Sequence, residues 1–133
     1  MPGGAMIECP WLTRGTAAKA LDGDVSLIVS NPDMHDGFCK FARQEEPDDL
    51  LEIVVSKTAL AGCPPESSKI VGVGNWAMRC KVPASHGDVA EMISSQARDT
   101  YFTVKLVLHA RKTDPQLSDE LEQVAEEVAG SLY

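Results

Sequence analysis

Aromatic side chains are scarce in this sequence, 5% of 133 residues, and basic ones are outnumbered, 12 Lys and Arg against 20 Asp and Glu. Few aromatics leave no stacking platform for bases. A formal charge of −8 repels phosphate backbones and anionic membrane surfaces. Nucleic acid is therefore excluded as a partner. No apolar run approaches the ~20 residues that a spanning helix needs, so no transmembrane segment is expected. The opening stretch "MPGGAMIECPW" has neither the basic start nor the apolar centre of a signal peptide.

Several catalytic and metal signatures are missing too. There is no Cys-x-x-Cys pair, which zinc ribbons and dithiol redox sites require because two ligands on one tight turn must reach one ion. Gly-x-Ser-x-Gly, His-Glu-x-x-His and Gly-Lys-Ser/Thr are absent. The acidic run "QEEPDD" at 44–49 lacks the spaced oxygens and central glycine of a calcium loop and reads as a solvated hairpin tip. Of the three histidines, His35 and His86 fall in turn-like loops and His109 at the end of a strand. They read as solvated side chains, not as a catalytic set. Cys9-Pro10 and Cys63-Pro64 are dipeptides found at some haem sites, but Pro after Cys also marks a loop entry. No catalytic residue, metal site or cofactor is assigned.

One stretch does carry a motif. In "IVGVGNWAMRC", residues 70–80, Gly72, Gly74 and Ala77 form Gly-x-Gly-x-x-Ala. Such glycines cradle a pyrophosphate only where a strand feeds them and a helix starts at them. Here the residues that follow alternate as a strand does, Trp76, Met78, Cys80 and Val82 to one side and Ala77, Arg79 and Lys81 to the other. The motif is expected to be a positive-φ turn leading into a strand, not a nucleotide loop.

What is present is enough for one compact core. The chain has the length of a single domain, and 44% apolar residues are too many for disorder. Residues 1–7 are expected to be disordered, outside the fold, and 8–133 to form the domain. A short helix is expected after Thr13, its N-cap, with Leu12 and Ala17 at the staple positions, Ala17, Ala20 and Leu21 on one face and Gly23 as the stop. Strands are expected at 25–30, 38–43 and 50–57 as an antiparallel meander, then from Trp76, at 88–96 and at 101–109. In the last of these Phe102, Val104, Leu106 and Leu108 face the core, and Thr103, Lys105 and His109 face outward. A C-terminal helix starts at Asp114-Pro115. Leu117, Leu121, Val124, Val128 and Leu132 form its apolar stripe, and Asp119, Glu120, Glu122, Glu126 and Glu127 fill its solvent face. The expected fold class is α+β: a two-layer domain with an antiparallel sheet of about five or six strands, covered by the C-terminal helix and the short N-terminal one.

The four cysteines, Cys9, Cys39, Cys63 and Cys80, are even in number and widely spaced. That suits bridges between separate elements in an oxidising compartment; four buried thiols in a cytosolic protein is the other reading. As disulfides they allow three connectivities, and spacing does not choose among them.

The order of these features resembles a loose group of small exported bacterial proteins and lipoproteins. The likeness lies in "CPWLTRGTAAKALDGDV", "GFCKFAR", the Gly-hydrophobic-Gly-Asn-x-Ala segment from Gly72 to Ala77, "SSQARDTYFTVKL" and the terminal "VAEEVAGSLY", and covers roughly residues 8–133. It implies export to the periplasm or the medium after removal of a signal segment, and pairing of Cys9 with Cys39 and Cys63 with Cys80. It implies no activity or cofactor. Where the group has an acidic residue after the Gly-Asn segment, this chain has Trp76. The resulting expectation is a non-enzymatic binding or interaction module, monomer or weak dimer, whose partner is a protein or a small ligand. An acidic inhibitor steered onto a basic enzyme and a hydrolase with an unrecognised site are the other two readings.

Overall fold

A computed structural model describes residues 8–33, 36–83, 88–109 and 114–133. The elements run α1 (Arg14–Leu21), β1 (Val25–Asp33), β2 (Asp36–Arg43), β3 (Leu50–Ser56), β4 (Ser68–Ile70), β5 (Trp76–Lys81), β6 (Val89–Ala97), β7 (Thr100–Leu108) and α2 (Asp114–Leu132). All seven strands form one antiparallel sheet in the order β1-β2-β3-β7-β6-β5-β4. It is two meanders, β1-β2-β3 and β4-β5-β6-β7, closed on each other through β3 and β7. The α+β class and the C-terminal helix are as the sequence led us to expect; the described residues form seven strands, the additional one being the three-residue β4. The expectations for residues 1–7, His35, His86 and the capping side chain of Asp114 lie outside the described residues.

Both helices lie on one face of the sheet. Thr13 caps α1, its hydroxyl accepting from the Thr16 amide at 3.3 Å. Leu12, Ala17, Ala20 and Leu21 are buried. The stop is one residue earlier than expected. Asp22, not Gly23, takes the left-handed conformation (φ 60°), which Asp tolerates better than most residues, and the Gly23 amide closes the end onto Ala18 O at 3.0 Å.

Helix α2 lies across β6 and β7 and touches α1. Its five stripe residues are buried, with Ala125 and Ala129. Under it Phe102, Val104, Leu106 and Leu108 are buried as the alternation of β7 requires. Register extends this face in rows: Cys39, Ile53, Val104 and Ile93 stand side by side, and so do Phe41, Leu51 and Leu106. The first row reaches Arg79 on β5, and the second reaches Glu91 and then Lys81. The helix-side face is thus apolar where a helix covers it and polar on the β5 margin.

Two disulfides are present, Cys9–Cys39 and Cys63–Cys80, with Cα separations of 6.0 and 5.7 Å. The first is in the core, tying the segment before α1 to β2. The second ties the loop after β3 to β5, and its cysteines are half-buried.

The glycine motif is the turn expected. Gly72 and Gly74 have φ of 91° and 57°, and the Asn75 amide donates to Gln96 O at 2.6 Å as β5 begins. A Cβ on Gly74 would stand 2.6 Å from Gln96 O and from Ser95 Oγ. Gly74→Ala is therefore expected to cost about 1–3 kcal/mol in a urea melt. Gly15→Ala, inside α1 with nothing within 4 Å of the new Cβ, should gain up to ~1 kcal/mol. Equal midpoints for the two variants would show that the turn tolerates a side chain.

Candidate functional site

Polar groups gather in four places, and their geometry separates structural from recognition roles. The first is the margin of the helix-side face. Glu91, 2% exposed, accepts from Ser118 Oγ at 2.9 and 3.1 Å and lies 3.5 Å from Arg79 Nε. Arg79 Nη1 is 3.5 Å from Glu122. The brace ties β5 and β6 to the first half of α2, beside an open cavity of about 500 Å³. A buried carboxylate must be paired and hydrogen-bonded, and this one is.

The second is α1. Glu127 accepts from the Thr13 amide at 2.8 Å and from Thr16 Oγ at 2.7 Å, a carboxylate placed at a helix N-terminus where the dipole favours it. Glu122 and Glu127, assigned above to a solvent face, are half-buried and engaged within the molecule.

The third is the end of the sheet near the acidic turn. Asp49 is fully buried, which corrects the reading of 44–49 as a wholly solvated tip. Its carboxylate accepts from the His109 amide at 2.8 Å and lies 3.6 Å from Arg43 Nη1. His109 itself is exposed, and its Nδ1 is 2.6 Å from Asp88 Oδ1. The hydrogen bond to Asp88, then its charge, raise the imidazole pKa above 6.5. Among the described residues no hydroxyl or thiol is hydrogen-bonded to His109. A raised folded-state pKa means that the pair's contribution is complete below about pH 6.5 and is lost as pH rises through the folded-state value. The melting-temperature advantage of the wild type over His109→Gln should therefore be larger at pH 5.5 than at pH 9. A pH-independent difference would remove the pair from the stability account.

The fourth is the face of the sheet opposite the helices. Its middle row is Phe38, Val54, Thr103, Ser94 and Met78, and the next holds Tyr101, Gln96 and Trp76. An open face of this composition would expose Thr103 and Ser94, yet they are 9% and 6% exposed. The cover is the 57–67 loop, held by Cys63–Cys80. Cys63 donates its amide to Ser94 Oγ at 3.1 Å. Gly62 lies so flat on the strand that a Cβ would stand 2.6 Å from Ser94 Cβ. Thr103 does point away from the helices as expected, but it is covered.

Between loop and sheet is a cleft of about 180 Å³ with Leu60 and Pro65 above and Trp76, Met78, Tyr101 and Thr103 below. The Trp76 indole is fixed at its edge, Nε1 donating to Gln96 Oε1 at 3.0 Å, and is still 41% exposed. Asn75 steadies the same end of the sheet. Its side-chain Nδ2 donates to Arg98 O at 2.8 Å, and its Oδ1 accepts from the Arg98 amide at 3.3 Å and from Tyr133 OH at 2.8 Å. That clasp holds the β6–β7 turn, where Arg98 has φ of 57°.

Leu60, Thr103 and Tyr101 were not singled out in the sequence as site residues, and Trp76 stood out only as a departure from a resemblance. All four cysteines are disulfide-bonded, so none is a thiolate ligand, haem sites included. Among the described residues no helix is long and apolar enough to cross a membrane. Compared with family models, curated proteins and solved structures, the chain matches none.

Proposed function

We propose that this chain is an exported, non-enzymatic binding module and that the cleft under the Cys63–Cys80 loop is its recognition site. One observation carries the site: Trp76 is locked by a hydrogen bond and left exposed at the mouth of a cleft that a disulfide-tethered loop roofs. Burying a Trp is among the largest apolar gains open to a fold; a rigid indole held half in water is suited to contact something else. Export is supported by the use of every cysteine in a disulfide, the usual state in an oxidising compartment. Charge-steered masking of a basic enzyme has less support, because Glu122 and Glu127 are committed to Arg79 and to α1.

The test has two readings. In the producing cell, protein blocked with a thiol reagent before lysis should be found outside the cytoplasm and carry no label. Protein recovered from that compartment should release a small molecule on denaturation, and Trp76→Ala protein should not carry it. Four labelled cysteines in cytoplasmic protein would overturn the export half. Identical contents in wild type and Trp76→Ala would overturn the site.

A further inference from the structure

We propose that the cleft takes an uncharged monocyclic aromatic group bearing one hydroxyl, a phenol or the ring of a tyrosine, stacked on Trp76 and hydrogen-bonded to Thr103. The inference rests on the reading of the cleft as the binding site and names what it binds.

Size is the first argument. A volume of about 180 Å³ has room for a single six-membered ring with a small substituent; an apolar cavity of about 150 Å³ is known to hold benzene. Charge is the second. Among the described residues no Asp, Glu, Lys, Arg or His lines the cleft, in a chain where 24% of residues are charged. A carboxylate or ammonium entering it would lose water and gain no counter-charge. The walls are the third. Trp76, Tyr101 and Met78 present two rings and a thioether, groups that attract a ring by offset or edge-on contact and by sulfur–aromatic contact. The fourth argument favours the hydroxyl. Thr103 is 91% buried under the loop, lines the cleft, and its hydroxyl makes no hydrogen bond among the described residues. Its neighbour across the strand pair, Ser94, already accepts from the Cys63 amide. A hydroxyl at the cleft wall with no partner among the described residues is free to bond a ligand hydroxyl, and a phenol both donates and accepts.

The chain has its own reporter, since its two tryptophans differ in setting. Trp11 is 1% exposed in the core, and Trp76 is at the cleft. In proton–nitrogen correlation spectra of the whole chain, phenol or p-cresol should shift the Trp76 indole resonance saturably and leave that of Trp11 in place. Benzoate and benzylammonium should bind at least about tenfold more weakly, the scale of one lost polar interaction, and so should cyclohexanol, which keeps the hydroxyl and loses the ring. Thr103→Val should erase the preference for phenol over toluene while toluene still binds. An unmoved Trp11 resonance in this variant shows that the core is intact. No saturable shift with phenol, equal binding of the charged rings, or equal binding of cyclohexanol would overturn the ligand class. If phenol fails but the molecule released from native protein moves the Trp76 resonance, the class is wrong and the binding site stands. If neither moves it, both fall.

Discussion

Replacing Leu121 with alanine is expected to lower the stability of the domain by about 2–5 kcal/mol. Leu121 is fully buried on the α2 stripe, on the helix that packs over β6 and β7. Its truncation removes transfer energy worth roughly 1.5–3 kcal/mol and leaves a cavity that packed neighbours fill only in part. The neighbouring position is the control. Glu122→Ala removes an ion pair to Arg79 at 3.5 Å in which both side chains are about one-third exposed, and such pairs contribute about 0–1 kcal/mol. Urea midpoints of the two variants should therefore differ several-fold in displacement. Equal small shifts would mean that α2 is not docked, and the two-layer packing would fail with it.

The helix and the strand beneath it were readable in the sequence because their signals are local. Leu117 to Leu132 repeat at helical spacing, and Phe102 to Leu108 alternate, so each element identifies its own buried face. β4 was not readable: Ser68–Ile70 is too short for alternation to register and exists because β5 offers it an edge. Asp49 looked like one more acid in a turn. Its burial depends on the His109 amide, 60 residues away. The helix stop was misplaced by one residue because Asp and Gly both accept positive φ, and only the closing bond to Ala18 O decides between them.

The cleft was hidden for a related reason. Alternation says which side of a strand a residue is on, but not what lies over it. Thr103 and Trp76 were assigned to their sides correctly. The roof that turns those sides into a site comes from a loop without periodicity, placed by one disulfide and by the flat passage of Gly62 over Ser94.

The two disulfides are expected to act differently when removed. With sequence separations of 30 and 17, loop-closure entropy makes them similar, about 3–4 kcal/mol for Cys9–Cys39 and about 3 kcal/mol for Cys63–Cys80. Location separates them. Cys39 is fully buried and Cys9 nearly so, so the Cys9→Ala, Cys39→Ala protein also loses core packing, and its whole urea transition should move by at least the entropic amount. The Cys63→Ala, Cys80→Ala protein keeps its helix-side core. Much of its loss should be local: the 57–67 loop opens, and the Cys63 amide, bonded to Ser94 Oγ, exchanges with solvent far faster than the amides of β7. Ligand binding should weaken in this variant and persist in the other wherever that protein is still folded. Paired urea melts and amide-exchange rates distinguish the two. Equal exchange at the position-63 amide in wild type and in the Cys63→Ala, Cys80→Ala variant would mean that backbone contacts hold the roof without the disulfide, and the cleft would then owe its shape to Gly62 and Ser94 instead.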